Sequence, residues 1–237
     1  NEDRIKWYVV ASEYTKYHDN MTLEIKKIIP KGESLIDFGC GLGILPMKLS
    51  DYFSDIIGVD YDDKVLDLLE DNIAKNKIKN FKTICSNCYD GELFEKIGVS
   101  DNILFSHFGN VEDYFYNFFN LFTKRMIIIR NDVEKSIVHN PNKNTIQDIC
   151  KFLDDRKIPY KIYRQTFAFG QPLKDDEEVI KYLNKWYGEK GINLISNVKD
   201  IDYNYNGEIF TKYYCKPKNT AIVVVEKEEI WKNLREF

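Results

Sequence analysis

Nine residues, Leu35-Ile36-Asp37-Phe38-Gly39-Cys40-Gly41-Leu42-Gly43, constrain this chain more than any other stretch. Ser34–Phe38 is short and apolar and reads as a strand. Three glycines at alternate positions follow, and Leu42–Phe53 then takes up helical spacing, with Pro46 near its first turn. A strand that passes through a glycine turn into a helix opens a parallel α/β unit. Glycine lets a ligand approach the backbone closely, and the start of the helix presents unbonded N–H groups.

The alternation continues downstream. Asp55–Asp60, Asn80–Ser86, Asn102–Ser106 and Lys124–Arg130 read as strands. Asp62–Lys75, Gly91–Ile97, Asn110–Phe122 and Thr145–Arg156 read as helices between or after them, and Thr22–Ile29 as a helix stopped by Pro30-Lys31-Gly32. Apolar strands alternating with helices predict a parallel sheet with helices on both faces. The last third differs. Tyr160–Phe169 and Thr220–Glu226 read as strands and Asp175–Gly188 as a helix, while 189–215 has no clear period. The two strands are expected to pair at a sheet edge. Residues 171–218 then form a cap or lid rich in aromatics, among them Trp186, Tyr187, Tyr203, Tyr205, Phe210, Tyr213 and Tyr214.

Composition narrows the class. At 237 residues and 43% apolar, the chain reads as a single domain over 1–237, with an N-terminal helical segment over 1–30 and the cap as an insertion. A chain of this size buries about 70–75% of its unfolded surface and needs neither disulfides nor metal to fold. A net charge of −4 argues against a sequence-independent grip on nucleic acid. Met126–Ile129 and Ile222–Val225, the longest aliphatic runs, are far short of the roughly 18–20 residues that span a bilayer. Cysteines at 40, 85, 88, 150 and 215 do not form a disulfide framework. With no signal-peptide pattern read, the expected compartment is the cytoplasm.

Two carboxylates specify the ligand. Asp60 ends the strand after the glycine turn, where it accepts from ribose hydroxyls. Asp37 stands two residues before Gly39. A nicotinamide dinucleotide would set a pyrophosphate over this turn and would favour a third glycine where Ile44 stands, and Asp37 would oppose its phosphate charge. S-adenosylmethionine has no phosphate and carries an ammonium and a sulfonium, so an anion beside the turn is favourable. The alternative for Asp37 is that it merely satisfies loop amides.

On these residues the chain resembles the class I S-adenosylmethionine-dependent methyltransferases, closely from about residue 10 to 132 and more loosely over the final two strands. The family's acidic-x-Gly-x-Gly-x-Gly loop stands here as Asp37 to Gly43. The resemblance implies an α/β, three-layer Rossmann-like fold. Its sheet would have seven mostly parallel strands with an antiparallel final strand, and an aromatic-rich cap would complete it. It also implies S-adenosylmethionine as cofactor. Gly39, Cys40 and Gly41 would lie under the methionine part, Asp37 near its ammonium or a bridging water, Asp60 on the ribose and Tyr61 over the adenine. The family often has an aspartate at the third strand end. Here that position reads Ser86-Asn87-Cys88, and Asn87 or Ser86 would bond the base with Cys88 beside it. The fourth strand end, Phe105-Ser106-His107-Phe108, would adjoin the sulfonium and the acceptor. An N-terminal helix with Tyr14, Tyr17 and His18 resembles the segment that closes over the cofactor in many small-molecule members.

The remaining chemistry is sparse. Methyl transfer needs alignment and exclusion of water, and a base only when the acceptor must lose a proton early. His107 is the candidate catalytic base by position, and its plainer role is to shape the pocket. His18 and His139 are weaker candidates. Cys85-x-x-Cys88 is half a zinc site with no second pair, Cys85 is expected to face the core, and no metal site is assigned. The fourth strand end lacks the Asn/Asp-Pro-Pro-aromatic turn of amino-methylating nucleic-acid enzymes. The leading expectation is therefore methylation of a small molecule without membrane involvement. Methylation of tRNA or protein, and a non-catalytic cofactor-binding partner protein, are the alternatives.

Overall fold

The computed structural model describes residues 2–132 and 145–234. His139 lies outside the described residues. In chain order the elements are α1 (Glu2–Thr15), α2 (Tyr17–Ile28), β1 (Ser34–Phe38), α3 (Ile44–Lys48), β2 (Asp55–Asp60), α4 (Asp63–Lys75), β3 (Phe81–Cys85), α5 (Gly91–Ile97), β4 (Ser100–Ser106), α6 (Val111–Asn117) and β5 (Phe122–Asn131). There follow α7 (Ile146–Asp155), β6 (Lys161–Ala168), β7 (Gln171–Leu173), α8 (Asp176–Tyr187), β8 (Val198–Tyr205), β9 (Glu208–Tyr214), β10 (Pro217–Glu226) and α9 (Lys227–Leu234). The chain divides into two compact units, one of residues 1–21 and 166–218, the other of 22–165 and 219–237.

The larger unit is built on a seven-stranded sheet of order β3-β2-β1-β4-β5-β10-β6. β1 to β5 run parallel, and β10 is antiparallel to β5, from Thr220 opposite Asn131 to Glu226 opposite Arg125. This is the expected fold, with β10 and β6 neighbours as the sequence predicted. The central strands are aliphatic because they are buried: Ile36, Phe38, Val59, Ile103, Phe105, Met126, Ile128 and Val223 share one core. Strand order reverses at β1, whose neighbours are β2 and β4. Ligands of open α/β sheets bind at that switch point, beyond the carboxyl ends of the strands. Side-chain caps fix where the helices begin. Asp62 starts α4, Asp90 starts α5, and Thr145 with Asp148 forms a capping box on α7.

Three details correct the sequence reading. The helix expected over Leu42–Phe53 is only Ile44–Lys48, and the one expected over Asn110–Phe122 stops at Asn117, with a 3-10 turn over Phe119–Leu121. The stretch 189–215 is not irregular. A 3-10 segment, Gly188–Asn197, leads into the hairpin β8–β9, which completes a three-stranded sheet of order β7-β9-β8. The turn of that hairpin is Asn206-Gly207, both with left-handed φ (53° and 83°). Asn-Gly is the strongest short-range hairpin signal a sequence carries, and it was present here. In this smaller unit Trp7, Leu173, Val179, Leu183 and Tyr214 form the core. Among the described residues no helix is long and apolar enough to cross a membrane.

Candidate active site

At the switch point β1 delivers Asp37, and the chain turns through Gly39, Gly41 and Gly43, all at left-handed φ (69°, 53° and 61°). The turn is tied to β2. The N–H groups of Gly39 and Cys40 both donate to the carbonyl of Val59, at 2.8 and 3.1 Å, and Gly43 N–H donates to Cys40 O at 2.9 Å. A side chain at Gly39 would collide with the Phe108 ring, whereas the space beside Gly41 is open. The backbone at Gly41 is therefore the part of the turn that a ligand can approach.

Asp60 closes the turn from the other side. Its Oδ2 accepts from Gly41 N–H at 2.8 Å and its Oδ1 from Asp62 N–H at 3.1 Å. Each carboxylate oxygen keeps acceptor capacity for a further donor, such as a ribose hydroxyl. Asp37 is buried at 2% exposure, and its Oδ1 has no hydrogen-bond partner among the described residues. Burial, and then the charge of Asp60, hold its carboxyl well above the ordinary carboxylate range. An orphaned, buried carboxylate oxygen beside a glycine turn fits an ammonium, as the donor's methionine part provides. The Cys40 thiol is pushed up by burial and by Asp37 and Asp60, and burial pushes Cys88 up to about 11, so neither is poised as a nucleophile.

The turn after β3 is bonded both to β2 and within itself. Ser86 N–H donates to Asp60 O, and the Asn87 side chain accepts from Tyr89 N–H at 3.1 Å. Asn87 is exposed and Cys88 buried. Cys85 is exposed rather than core-facing as expected, because it is the last residue of β3, an edge strand. Tyr61 is 77% exposed, directly after Asp60. Ser106 ends β4. His107 follows with a left-handed φ of 56°, its N–H donating to Ile129 O at 2.9 Å. Asp37, Gly39, Cys40, Gly41, Asp60, Cys88 and Ser106 thus lie on or beside adjacent strand ends of one unit. Tyr14 belongs to the other unit, where it packs against Tyr203 and Tyr213, each with ring centroids 4.8 Å away. His18 has both ring nitrogens bonded, to Tyr8 Oη at 2.9 Å and Ser12 Oγ at 2.5 Å, and so ties α2 to α1.

Sequence reasoning missed Arg130. It sits in β5 at 5% exposure, and its guanidinium donates to the carbonyls of Gly109 (2.8 Å), Ile129 (3.1 Å) and Phe108, and to the Tyr114 hydroxyl. The Tyr114 hydroxyl in turn donates to Phe108 O. This buried fork clamps the turn that carries His107 and presses Phe108 onto Gly39. The signal was an arginine closing the aliphatic run Met126–Ile129. Such a residue is buried with its strand and must find acceptors there.

A family model described as a methyltransferase domain matches residues 29–199. The chain belongs to the methyltransferase domain family. Solved structures share the fold of this methyltransferase. YcgJ of Bacillus subtilis is 15% identical with a TM-score of 0.57, over 88% of this chain and 98% of that one. A putative methyltransferase of Bacillus halodurans C-125 is 9% identical with a TM-score of 0.53, over 87% and 98%. Coclaurine N-methyltransferase bound to N-methylheliamine and SAH is 14% identical with a TM-score of 0.53, over 87% and 71%. No curated protein matches the chain in sequence. The enzyme is a class I methyltransferase with S-adenosylmethionine as its cofactor.

Proposed function

We propose that this methyltransferase transfers a methyl group to a small molecule by in-line displacement, with the donor held by Asp37, Gly39, Cys40, Gly41 and Asp60. The observation that carries the donor assignment is the orphaned Asp37 oxygen beside the glycine turn. Bound S-adenosylmethionine supplies a methyl group already activated on a sulfonium. Asp37 pairs with the ammonium, Asp60 accepts from the ribose, and Tyr61, Asn87 and Cys88 border the base. Ser106 and His107 stand where the acceptor arrives, with His107 taking its proton when the acceptor atom must lose one. Acceptor recognition is assigned to the aromatic residues of 171–218, the segment read as a lid, and Tyr14 to the donor.

Three features support a small acceptor: the net charge of −4, the absence of an amino-methylating turn after β4, and an aromatic content too high for a linker. One neighbour in fold, coclaurine N-methyltransferase, is bound to N-methylheliamine and SAH. The test is transfer of labelled methyl from S-adenosylmethionine into the small-molecule and RNA fractions of a cell extract. Label in the small-molecule fraction supports the reading, and label in RNA or protein alone overturns it. Calorimetric binding without any transfer would leave a cofactor-binding partner protein.

A further inference from the structure

Within the smaller unit, cations divide between carboxylate and aromatic partners. Lys6 and Lys174 pair with Glu208, Lys181 with Asp3, and Lys212 with Asp176 and Asp200. Lys218, at the start of β10, pairs with no carboxylate among the described residues. Its ammonium instead lies 4.4 Å from the ring centre of Tyr17 and 4.5 Å from that of Phe169. Those two rings meet edge to face at 4.7 Å, Phe167 packs on Tyr17 at 5.4 Å, and Tyr8 packs on Phe169 at 5.8 Å. Lys218 is nevertheless only half-buried. Ring quadrupoles return less to a cation than a desolvated ammonium loses, so a cation so placed attracts an anion. Burial, with Lys216 adding like charge, pulls the Lys218 ammonium down to about 8, as expected for a cation short of a counter-charge.

We propose that Lys218, walled by Tyr17 and Phe169, is a binding site for an oxyanion carried on a flat, unsaturated body. The ammonium takes the carboxylate or phosphate, and the rings take the body by stacking and edge contact. The inference rests on the reading above only in making that ligand the methyl acceptor, which would then be an acid.

The test is calorimetric titration of the full chain, saturated with S-adenosylhomocysteine, against benzoate, phenyl phosphate and benzyl alcohol. At least one of the two acids is expected to bind ten-fold or more tightly than the alcohol, and which one identifies the oxyanion. Lys218→Met should lose that preference and keep its affinity for S-adenosylhomocysteine within two-fold. Lys218→Arg, which keeps the charge, should retain the preference. The proposal is overturned if neither acid binds while S-adenosylhomocysteine does, if the alcohol binds as well as the acids, or if Lys218→Met binds them unchanged. Loss of preference in Lys218→Arg as complete as in Lys218→Met also overturns it. A chain that fails to bind S-adenosylhomocysteine at all refutes the donor assignment instead, so the two failures are separable.

Discussion

Asp37 trades stability for a ligand. The unfolded chain releases its proton near the ordinary aspartate value of about 3.9, whereas the folded chain releases it well above that. Between the two the native state holds a proton that the unfolded state has lost, so stability falls as pH rises through that window. Asp37→Asn removes this loss. The variant should be more stable than the parent at pH 7, with the gain vanishing below about pH 4. Urea denaturation at the two pH values reads this directly. The same variant should bind S-adenosylmethionine at least about ten-fold more weakly, since a charge-assisted bond is worth about 1.5–3 kcal/mol. A variant that binds the donor normally would remove Asp37 from the site.

Asp60 asks for a different pair of substitutions, because its oxygens already hold Gly41 and Asp62. Asp60→Ala frees the glycine turn as well as losing the ribose contact. Asp60→Asn keeps one acceptor for the turn. Both should weaken donor binding about ten-fold or more, and Asp60→Ala should in addition raise backbone hydrogen exchange at Gly41. Equal exchange in the two variants would show that the carboxylate does not fasten the turn.

At the scale of the element, the turn after β4 depends on β5. Arg130 supplies the donors that bind the carbonyls of Phe108 and Gly109, and Phe108 packs against Gly39. Arg130→Met takes the donor from the Gly109 carbonyl, at about 1–3 kcal/mol, while Phe108 O keeps the Tyr114 hydroxyl, and Arg130→Lys restores part of that. The expected order of stability is parent, then Lys, then Met. Both variants should weaken donor binding even though neither removes a group assigned to the donor. Chemical denaturation and calorimetry check the two halves, and a stable Arg130→Met variant with unchanged affinity would show the clamp to be dispensable. The strands themselves were legible because buried parallel strands must be aliphatic throughout. The clamp was not, since nothing local to Arg130 says which carbonyls β4 will place beside it.

For the whole molecule, donor binding acts through the native state alone. S-adenosylmethionine at one hundred times its dissociation constant should add about 2.7 kcal/mol to unfolding, seen as a rise in thermal midpoint. NADH at matched concentration should add nothing. Stabilisation by NADH instead would reverse the charge argument built on Asp37.

The sequence by itself determined the sheet, the glycine turn and the two acidic positions, because each follows from local rules: strand burial, left-handed φ at glycine, and charge near the turn. It also held the Asn206-Gly207 signal that closes β8 on β9. Tertiary structure alone decided that Asp37 has an oxygen with no partner among the described residues, that Asp60 fastens the turn it was expected only to flank, that Arg130 clamps the β4 turn and that Lys218 lies over two rings with no carboxylate partner among the described residues. Each of these depends on which atoms arrive from distant parts of the chain, and a buried charge takes its character from those partners rather than from its neighbours in sequence.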